Sequence, residues 1–171
     1  MNKMYYYDFG TFLKRQFPFK VQKISINAGF TCPNRTGEKG WGGCTYCNNQ
    51  TFSPEDCHTE KSVTEQVKEG ISFFGKKYPE MKYLAYFQAY TNTYDSIDLL
   101  IEKYEEALHI CGVVGIIIGT RPDCVSDELL SYLSDLAKET FVLIEFGVES
   151  NNDITLKFIT RGLTFEDSEK A

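Results

Sequence analysis

Three cysteines early in the chain have the spacing of ligands for a metal centre. Cys44 and Cys47 form a CxxC pair, which lets two thiolates bind one centre, and Cys32 precedes Cys44 by twelve positions. The glycines between them allow the backbone to fold back. Three thiolates suit an iron–sulfur cluster that keeps one iron open to another ligand, whereas a structural zinc site normally has four protein ligands.

Other interpretations of the cysteines stay open at this point. A CxxC pair also occurs in zinc half-sites and in thioredoxin-like redox pairs. Cys57 or His58 could complete a closed zinc site with the three cysteines above. Cys111 falls on an apolar helix face and is expected in the core. Cys124 follows Pro122 and Asp123 and has no assigned role.

The composition is typical of a folded protein inside a cell. A length of 171 residues predicts one domain, and 42% apolar with 15% aromatic residues exclude a disordered chain. No segment reaches the roughly 18–20 apolar residues that span a bilayer, and the N-terminus lacks a secretory h-region. We therefore expect a cytoplasmic protein with no membrane partner, where disulfides are rare. A net charge of −6 argues against nucleic-acid binding by bulk charge.

Alternating patterns of strands and helices place the cysteines after the first strand. The predicted strands are Val21–Asn27, Lys82–Ala89, Val113–Gly119 and Phe141–Gly147. Helices are predicted from about Val63, Ile97 and Leu129 onward, with a short one from about Asp153 to Thr160. Four strand–helix repeats predict parallel strands with right-handed crossovers. Ligands of such folds bind at the carboxyl ends of the strands, where the long loop from Ala28 to about Lys61 begins.

With these features the chain resembles the radical S-adenosylmethionine (SAM) superfamily. The usual cluster motif of that family is three cysteines with an aromatic residue before the last, and Tyr46 holds that position here. Eleven residues separate Cys32 from Cys44, where most members have three. The segments CPNR and GWGGCTYCN resemble a bacterial subgroup with this longer loop, related to the Elongator catalytic subunit and to oxygen-independent coproporphyrinogen oxidase.

The segments after the second and third strands resemble parts of that family that bind SAM. Gln88 and the backbone from Ala89 to Thr91 stand in place of a Gly-Gly-Glu-like segment. The segment Gly119-Thr120-Arg121-Pro122-Asp123 resembles one near the SAM ribose and carboxylate. Each also has a structural interpretation, since Gln88 could simply end a strand and Arg121 could pair with Asp123 on the surface.

The segments after the fourth strand complete the resemblance. Glu145 to Ser150 resembles an E-x-G-x-Q/E-S element with Glu149 near the ribose, although Glu145 could be a solvated strand residue. Arg161-Gly162-Leu163-Thr164 resembles an R-G-H-T-like element with leucine in place of histidine. The implied cofactor-binding residues are Tyr46, Gln88, Thr91, Thr120, Arg121, Asp123, Glu145, Glu149 and Arg161, beside the metal ligands Cys32, Cys44 and Cys47.

The resemblance implies an α/β fold of the partial (β/α) TIM-barrel type. It implies a single radical SAM core domain over residues 1–171, with 1–20 as a lead-in segment. Relatives continue through further strands, so we expect a fold truncated after about four strand–helix units, with an unpaired edge on the fourth strand.

The implied chemistry is that of an oxidoreductase with a [4Fe-4S] cluster on the three cysteines and SAM on the fourth iron. Reductive cleavage of SAM then gives a 5′-deoxyadenosyl radical, while the protein orients the reactants. Arg121 is expected to neutralise a carboxylate and Glu149 to accept hydrogen bonds from ribose hydroxyls. The resemblance assigns no residue to the chemistry on the substrate.

The implied partners are a flavodoxin- or ferredoxin-like one-electron donor and tRNA. Kinship to the Elongator subunit suggests modification of a wobble uridine. Lys14, Arg15, Lys20 and Lys23 could contact phosphates or bases, although such a run is also typical of a solvated face. Two alternatives from other classes stay open: a zinc-stapled binding module, and an inactive radical SAM-derived fragment that serves as an interaction domain.

Overall fold

A computed structural model describes residues 5–48 and 59–171. Four parallel strands form one sheet of order β1-β2-β3-β4, and helices connect them. The strands are β1 (Val21–Ile26), β2 (Lys82–Phe87), β3 (Val113–Thr120) and β4 (Phe141–Phe146). The helices are α1 (Phe9–Gln16), α2 (Pro33–Thr36), α3 (Val63–Gly75), α4 (Ile97–Leu108), α5 (Asp127–Leu136), α6 (Asp153–Phe158) and α7 (Phe165–Lys170). The predicted strand–helix repeat is confirmed, and the sheet is an open partial barrel with β1 and β4 at its edges.

The structure moves several predicted boundaries. β2 ends at Phe87, so Gln88 and Ala89 belong to the loop that follows, whereas β3 continues to Thr120. The prediction that Cys111 lies in the core is wrong, because α4 ends at Leu108 and leaves the cysteine exposed. No helix within the described ranges is long and apolar enough to cross a membrane.

The lead-in segment contains a helix that the sequence patterns did not predict. Asp8 caps α1 by accepting a hydrogen bond from the Thr11 amide at 2.7 Å. The rings of Phe12 and Phe17 lie 6.2 and 5.3 Å from that of Phe141, measured between centroids. The helix therefore packs at the beginning of β4, at the end of the sheet opposite the cysteines.

One face of the sheet is covered by helices and forms the apolar core. Its buried members include Ile24, Ala85, Ile116 and Ile118 from the strands and Val67, Leu100, Tyr104, Leu129 and Leu133 from the helices. Successive side chains of a strand point to opposite faces, so the residues between these strand positions lie on the other face.

That other face carries a polar group of three side chains. The Lys23 ammonium of β1 lies 2.9 Å from Glu145 Oε1 of β4, and the Tyr86 hydroxyl donates to Glu145 Oε2 at 2.6 Å. Burial and this hydrogen bond raise the pKa of Tyr86, so the phenol keeps its proton. In a flat sheet the backbones of the two edge strands would lie about 14 Å apart. The contact between their side chains therefore requires a sheet that curves toward this face.

Candidate cofactor and metal site

A cavity of about 480 Å³ opens at the carboxyl ends of the strands. Of the twelve candidate site residues, eleven line it: Cys32, Cys44, Tyr46, Cys47, Gln88, Thr91, Thr120, Arg121, Glu145, Glu149 and Arg161. They come from residues 32–47, here called the cysteine segment, from the carboxyl ends of β3 and β4, from the loops after β2, β3 and β4, and from the turn after α6. The fold therefore brings together residues that lie far apart in the sequence. Asp123 lies outside this cavity, beside Arg121.

The three candidate metal ligands are free thiols that border this cavity. Cys32 and Cys44 are buried and Cys47 is half-buried. Cys32 is the N-cap of α2, whose first residue Pro33 has the fixed φ that a helix start requires. The Cys47 amide donates to the Cys44 carbonyl at 2.9 Å, so the CxxC pair forms a tight turn that brings its thiols to one side.

Nitrogen donors approach two of the sulfurs. The side-chain amide of Asn34 lies 3.4 Å from Cys44 Sγ, and Arg161 Nη1 lies 3.8 Å from the same atom. Arg35 Nη1 lies 3.6 Å from Cys47 Sγ. Donors and positive charge stabilise thiolates, which are the form of cysteine that binds iron. Asn34 and Arg35 were missed as functional residues, although they follow Cys32 in the CPNR segment.

The turn after α6 holds the cysteine segment in place. Asn34 Nδ2 donates to the carbonyls of Thr160 and Arg161 at 2.8 and 2.9 Å. The Thr45 amide donates to the Ile159 carbonyl at 3.0 Å, and Arg121 Nη1 donates to the Arg161 carbonyl at 2.8 Å. The cysteine segment has backbone hydrogen bonds of its own, and it gains further partners from a distant part of the chain.

The two arginines of the cavity have different electrostatic surroundings. Arg121 is only 2% exposed, and its Nε and Nη2 each lie 2.9 Å from an oxygen of Asp123. Burial raises the pKa of Asp123, but hydrogen bonds from Arg121 and Lys39 outweigh this and hold the pKa below its usual value. Arg121 and Asp123 do form the expected pair, but in the interior and not on the surface.

Arg161 forms none of the ion pairs between residues of 5–48 and 59–171. Its side chain is buried, and its Nε has no hydrogen-bond partner among the described residues. Its Nη2 donates to the Gly147 carbonyl and its Nη1 approaches Cys44 Sγ, but neither partner is a carboxylate, and burying a cation without such a partner is costly. The cavity therefore contains a positive charge suited to an anionic group of a ligand.

Two residues of the cavity wall have backbone conformations that are unfavourable for side chains other than glycine. Tyr90 has φ 63° and Glu149 has φ 66°. Such strain, of about 1–3 kcal/mol per residue, clusters at ligand-binding sites. Glu149 follows the end of β4, and this backbone conformation places the residue in the cavity wall.

Two further candidate residues, Glu145 and Thr120, have side-chain partners within the chain. Both carboxylate oxygens of Glu145 are occupied by Lys23 and Tyr86. The Thr120 hydroxyl pairs with that of Thr93 at 2.5 Å. Burial raises the pKa of the Tyr46 phenol, although the nearby Arg161 charge opposes this effect, so the ring borders the cavity in its neutral form.

The thiols do not converge on a single point. Among residues 5–48 and 59–171, no three His, Cys, Asp or Glu side chains come close enough to hold one metal ion. Cys57 and His58, the predicted partners of a closed zinc site, lie outside the described residues. Cysteines that bind different irons of one cluster need not share a single coordination point. Three free thiols, with Arg35 and Arg161 as cationic donors at the sulfurs, thus fit a cluster together with a cofactor that carries a carboxylate.

One family model matches most of this chain. The family model described as the radical SAM superfamily matches residues 28–171, from just after β1 to the last residue. The chain belongs to the radical SAM superfamily. Members of that family typically bind a [4Fe-4S] cluster and SAM.

Three curated relatives from distant organisms are similar along most of the chain. Protein YhcC of Escherichia coli K12 is 39% identical over 92% of this chain, and the protein named Uncharacterized protein YtqA of Bacillus subtilis is 35% identical over 94%. Uncharacterized protein MJ0486 of Methanocaldococcus jannaschii is 32% identical over 96%. The match covers 50% of each relative, so this chain spans about half their length.

Two adjacent glycines of the cysteine segment allow a test of the thiol geometry. A Cβ at Gly43 would lie 2.9 Å from Arg35 Nη1 and 3.2 Å from Cys47 Sγ, whereas one at Gly42 would meet nothing within 4 Å. Both glycines have positive φ, so alanine costs about 1–2 kcal/mol of backbone strain at either position. We predict that Gly43→Ala at least halves the iron retained after reconstitution, relative to the matched Gly42→Ala. Equal iron in the two variants would contradict a role for this contact.

Proposed function

We propose that this chain is the cofactor-binding half of a radical SAM enzyme. In this proposal Cys32, Cys44 and Cys47 bind a [4Fe-4S] cluster, and the same cavity holds SAM. The observation that carries the proposal is that three free thiols and Arg161, which has no carboxylate partner among the described residues, line one cavity at the strand ends. We further propose that residues 1–171 form one domain, in a cytoplasmic protein whose reducing surroundings preserve the thiols.

The residues around the sulfurs would set the charge and position of the ligands. A bound cluster would supply one electron to the SAM sulfonium, whose C5′–S bond would then break to give methionine and the 5′-deoxyadenosyl radical. Asn34, Arg35 and Arg161 donate toward the ligand sulfurs, and such hydrogen bonds adjust the reduction potential of an iron–sulfur centre. Tyr46 and Phe146 line the cavity and help to exclude water from it.

The charges in the cavity favour Arg161 as the partner of the SAM carboxylate. The resemblance implied Arg121 for this role, but that guanidinium already pairs with Asp123. We therefore propose that Arg121 and Asp123 position the Arg161 backbone, while the Arg161 side chain binds the carboxylate. Glu149 is the proposed acceptor for the ribose hydroxyls, and its strained backbone would be compensated by this interaction.

For the substrate we propose a tRNA wobble uridine, and for the reductant a flavodoxin- or ferredoxin-like protein. The kinship implied by the motif supports the choice of tRNA. Among the basic residues considered for RNA contact, Arg15 lies 4.8 Å from the Tyr7 ring and Lys20 lies 3.1 Å from the Tyr78 ring. Lys23 is paired with Glu145 on the face of the sheet opposite the apolar core, so we omit Lys23 from the proposed RNA contacts.

The proposed function predicts a cluster that depends on the cavity cysteines. After anaerobic reconstitution with iron and sulfide, we expect about four irons per chain and a brown thiolate–iron absorbance. Cys47→Ser should lose most of both, and should form no 5′-deoxyadenosine from SAM and dithionite. Cys111→Ser is the matched control, because Cys111 is exposed and does not line the cavity. A colourless protein with one tightly bound zinc would contradict the proposal.

A second prediction distinguishes the proposed role of Arg161 as the partner of the SAM carboxylate from its role as a hydrogen-bond donor to a cysteine sulfur. Arg161→Gln removes the unpaired cation and should raise the SAM dissociation constant at least tenfold, because charge-assisted hydrogen bonds to a carboxylate are lost. Arg35 also donates to a ligand sulfur but does not line the cavity, so Arg35→Gln should change the constant less than threefold. Binding is measured by equilibrium dialysis on protein with matched iron content. A similar loss in both variants would refute the assignment of Arg161 to the carboxylate.

A further inference from the structure

A second cavity, of about 710 Å³, lies beside the cysteine segment. It is larger than the first cavity, and the described residues that line it include no cysteine and none of the twelve candidate site residues. Its walls are the glycine-rich part of the cysteine segment and the region from α6 to α7. Gly43 lines this cavity and its neighbour Cys44 lines the first, so the two cavities lie on either side of the segment. The proposed cofactor chemistry leaves the second cavity without a role.

An exposed tryptophan forms one wall of this second cavity. The indole of Trp41 is 79% exposed although it is held against the backbone of Gly37. A Cβ at Gly37 would lie 2.3 Å from the ring, so only glycine permits this close packing. The ring is thereby supported on one side and open to solvent over most of its surface. Such an arrangement is suited to stacking with another planar ring.

Two lysines, Lys39 and Lys157, line the same cavity beside two aspartates. Lys157 of α6 is exposed and has no carboxylate partner in the part of the chain that the structure describes. Lys39 also lines the cavity, and its ammonium lies 2.5 Å from Asp123.

The two carboxylates of the cavity wall are engaged with backbone amides. Asp167 Oδ2 accepts from the Thr164 amide at 2.7 Å, and Asp153 Oδ1 accepts from the Phe165 amide at 2.8 Å. These hydrogen bonds partly compensate the negative charges. Lys157 is therefore the residue best placed to meet an anionic group of a ligand.

We propose that this cavity binds a nucleotide whose base stacks on Trp41 and whose phosphate contacts Lys157. The nucleotide has two sources, a free mononucleotide or one unit of a single-stranded RNA. An RNA source deepens the proposed function and rests on it, because the bound unit would flank a nucleotide that enters the first cavity. Neither Trp41 nor Lys157 is a proposed ligand of the cluster.

Trp41 is the single tryptophan of the chain, so its fluorescence reports directly on this site. Cluster-free protein is titrated with a single-stranded oligoribonucleotide of about 12 nucleotides, within the usual range of site sizes, and in parallel with uridine and adenosine monophosphates. We expect quenching that saturates. Stronger binding of the oligonucleotide identifies RNA as the source, and equal binding of the monophosphates identifies a free nucleotide.

Variants measured with a labelled form of the tighter ligand test each contact separately. Trp41→Leu should weaken binding about tenfold, because it removes the stacking surface. Lys157→Ala, on a different element, should weaken binding several-fold and reduce its salt dependence. Lys68→Ala is the matched control, since Lys68 is an exposed lysine of α3 that lines neither cavity.

The absence of quenching by either ligand class, or unchanged affinity in Trp41→Leu, would overturn the proposal. Its failure is distinct from failure of the proposed function. Normal iron content and SAM cleavage without quenching would remove only the nucleotide site. Quenching in a protein that cannot be loaded with iron would remove only the proposed enzyme chemistry.

Discussion

The arrangement of the candidate site depends on the side-chain amide of Asn34. This buried group donates to the backbone carbonyls of Thr160 and Arg161 and also approaches the sulfur of Cys44. It thereby joins the cysteine segment after β1 to the turn after α6, which is more than a hundred residues away in the sequence. Without it the Thr160 carbonyl would lose this donor, whereas the Arg161 carbonyl would keep the donor from Arg121 Nη1. The positions of Cys44 and Arg161 are thus coupled.

Charge distribution then divides the site into a structural and an open part. Arg121 and Asp123 neutralise each other in the interior, and the remaining donor capacity of Arg121 supports the Arg161 backbone. Lys23 and Glu145 neutralise each other on the face of the sheet opposite the apolar core. Arg161 lies beside the thiols and has no carboxylate partner within residues 5–48 and 59–171. A ligand with a negative group would complete this set, and a SAM carboxylate meets that need.

Much of the fold could be predicted from the sequence, because long strands and helices have periodic patterns. The β-branched run from Val113 and the alternation of apolar and polar residues from Val21 predict strands of the parallel sheet. Parallel strands in turn predict that ligands bind at their carboxyl ends. Short elements without a period, such as α1 and α2, were not predicted. Cys111 was misplaced because helix periodicity does not fix where a helix ends.

The candidate residues could be named from motifs, but their partners could not. The Arg121–Asp123 pair could be named from the sequence, but its burial in the interior depends on contacts between distant segments, as does the lack of a carboxylate partner for Arg161 among the described residues. Asn34 was missed for the same reason, since an asparagine at the start of a short helix has no distinctive sequence signal. Trp41 belongs to the GWGGCTYCN motif, and only the three-dimensional structure shows that it is exposed.

The central claim is that three cysteines hold a cluster whose fourth iron is open to SAM. Electron–nuclear double resonance of the reduced, reconstituted protein tests it most directly, with SAM labelled isotopically in its amine or its carboxylate. The account predicts hyperfine coupling between the cluster and both labelled groups, and loss of the signal in Cys44→Ser. A cluster that shows no coupling to either label, or a site that holds only zinc, would contradict the account.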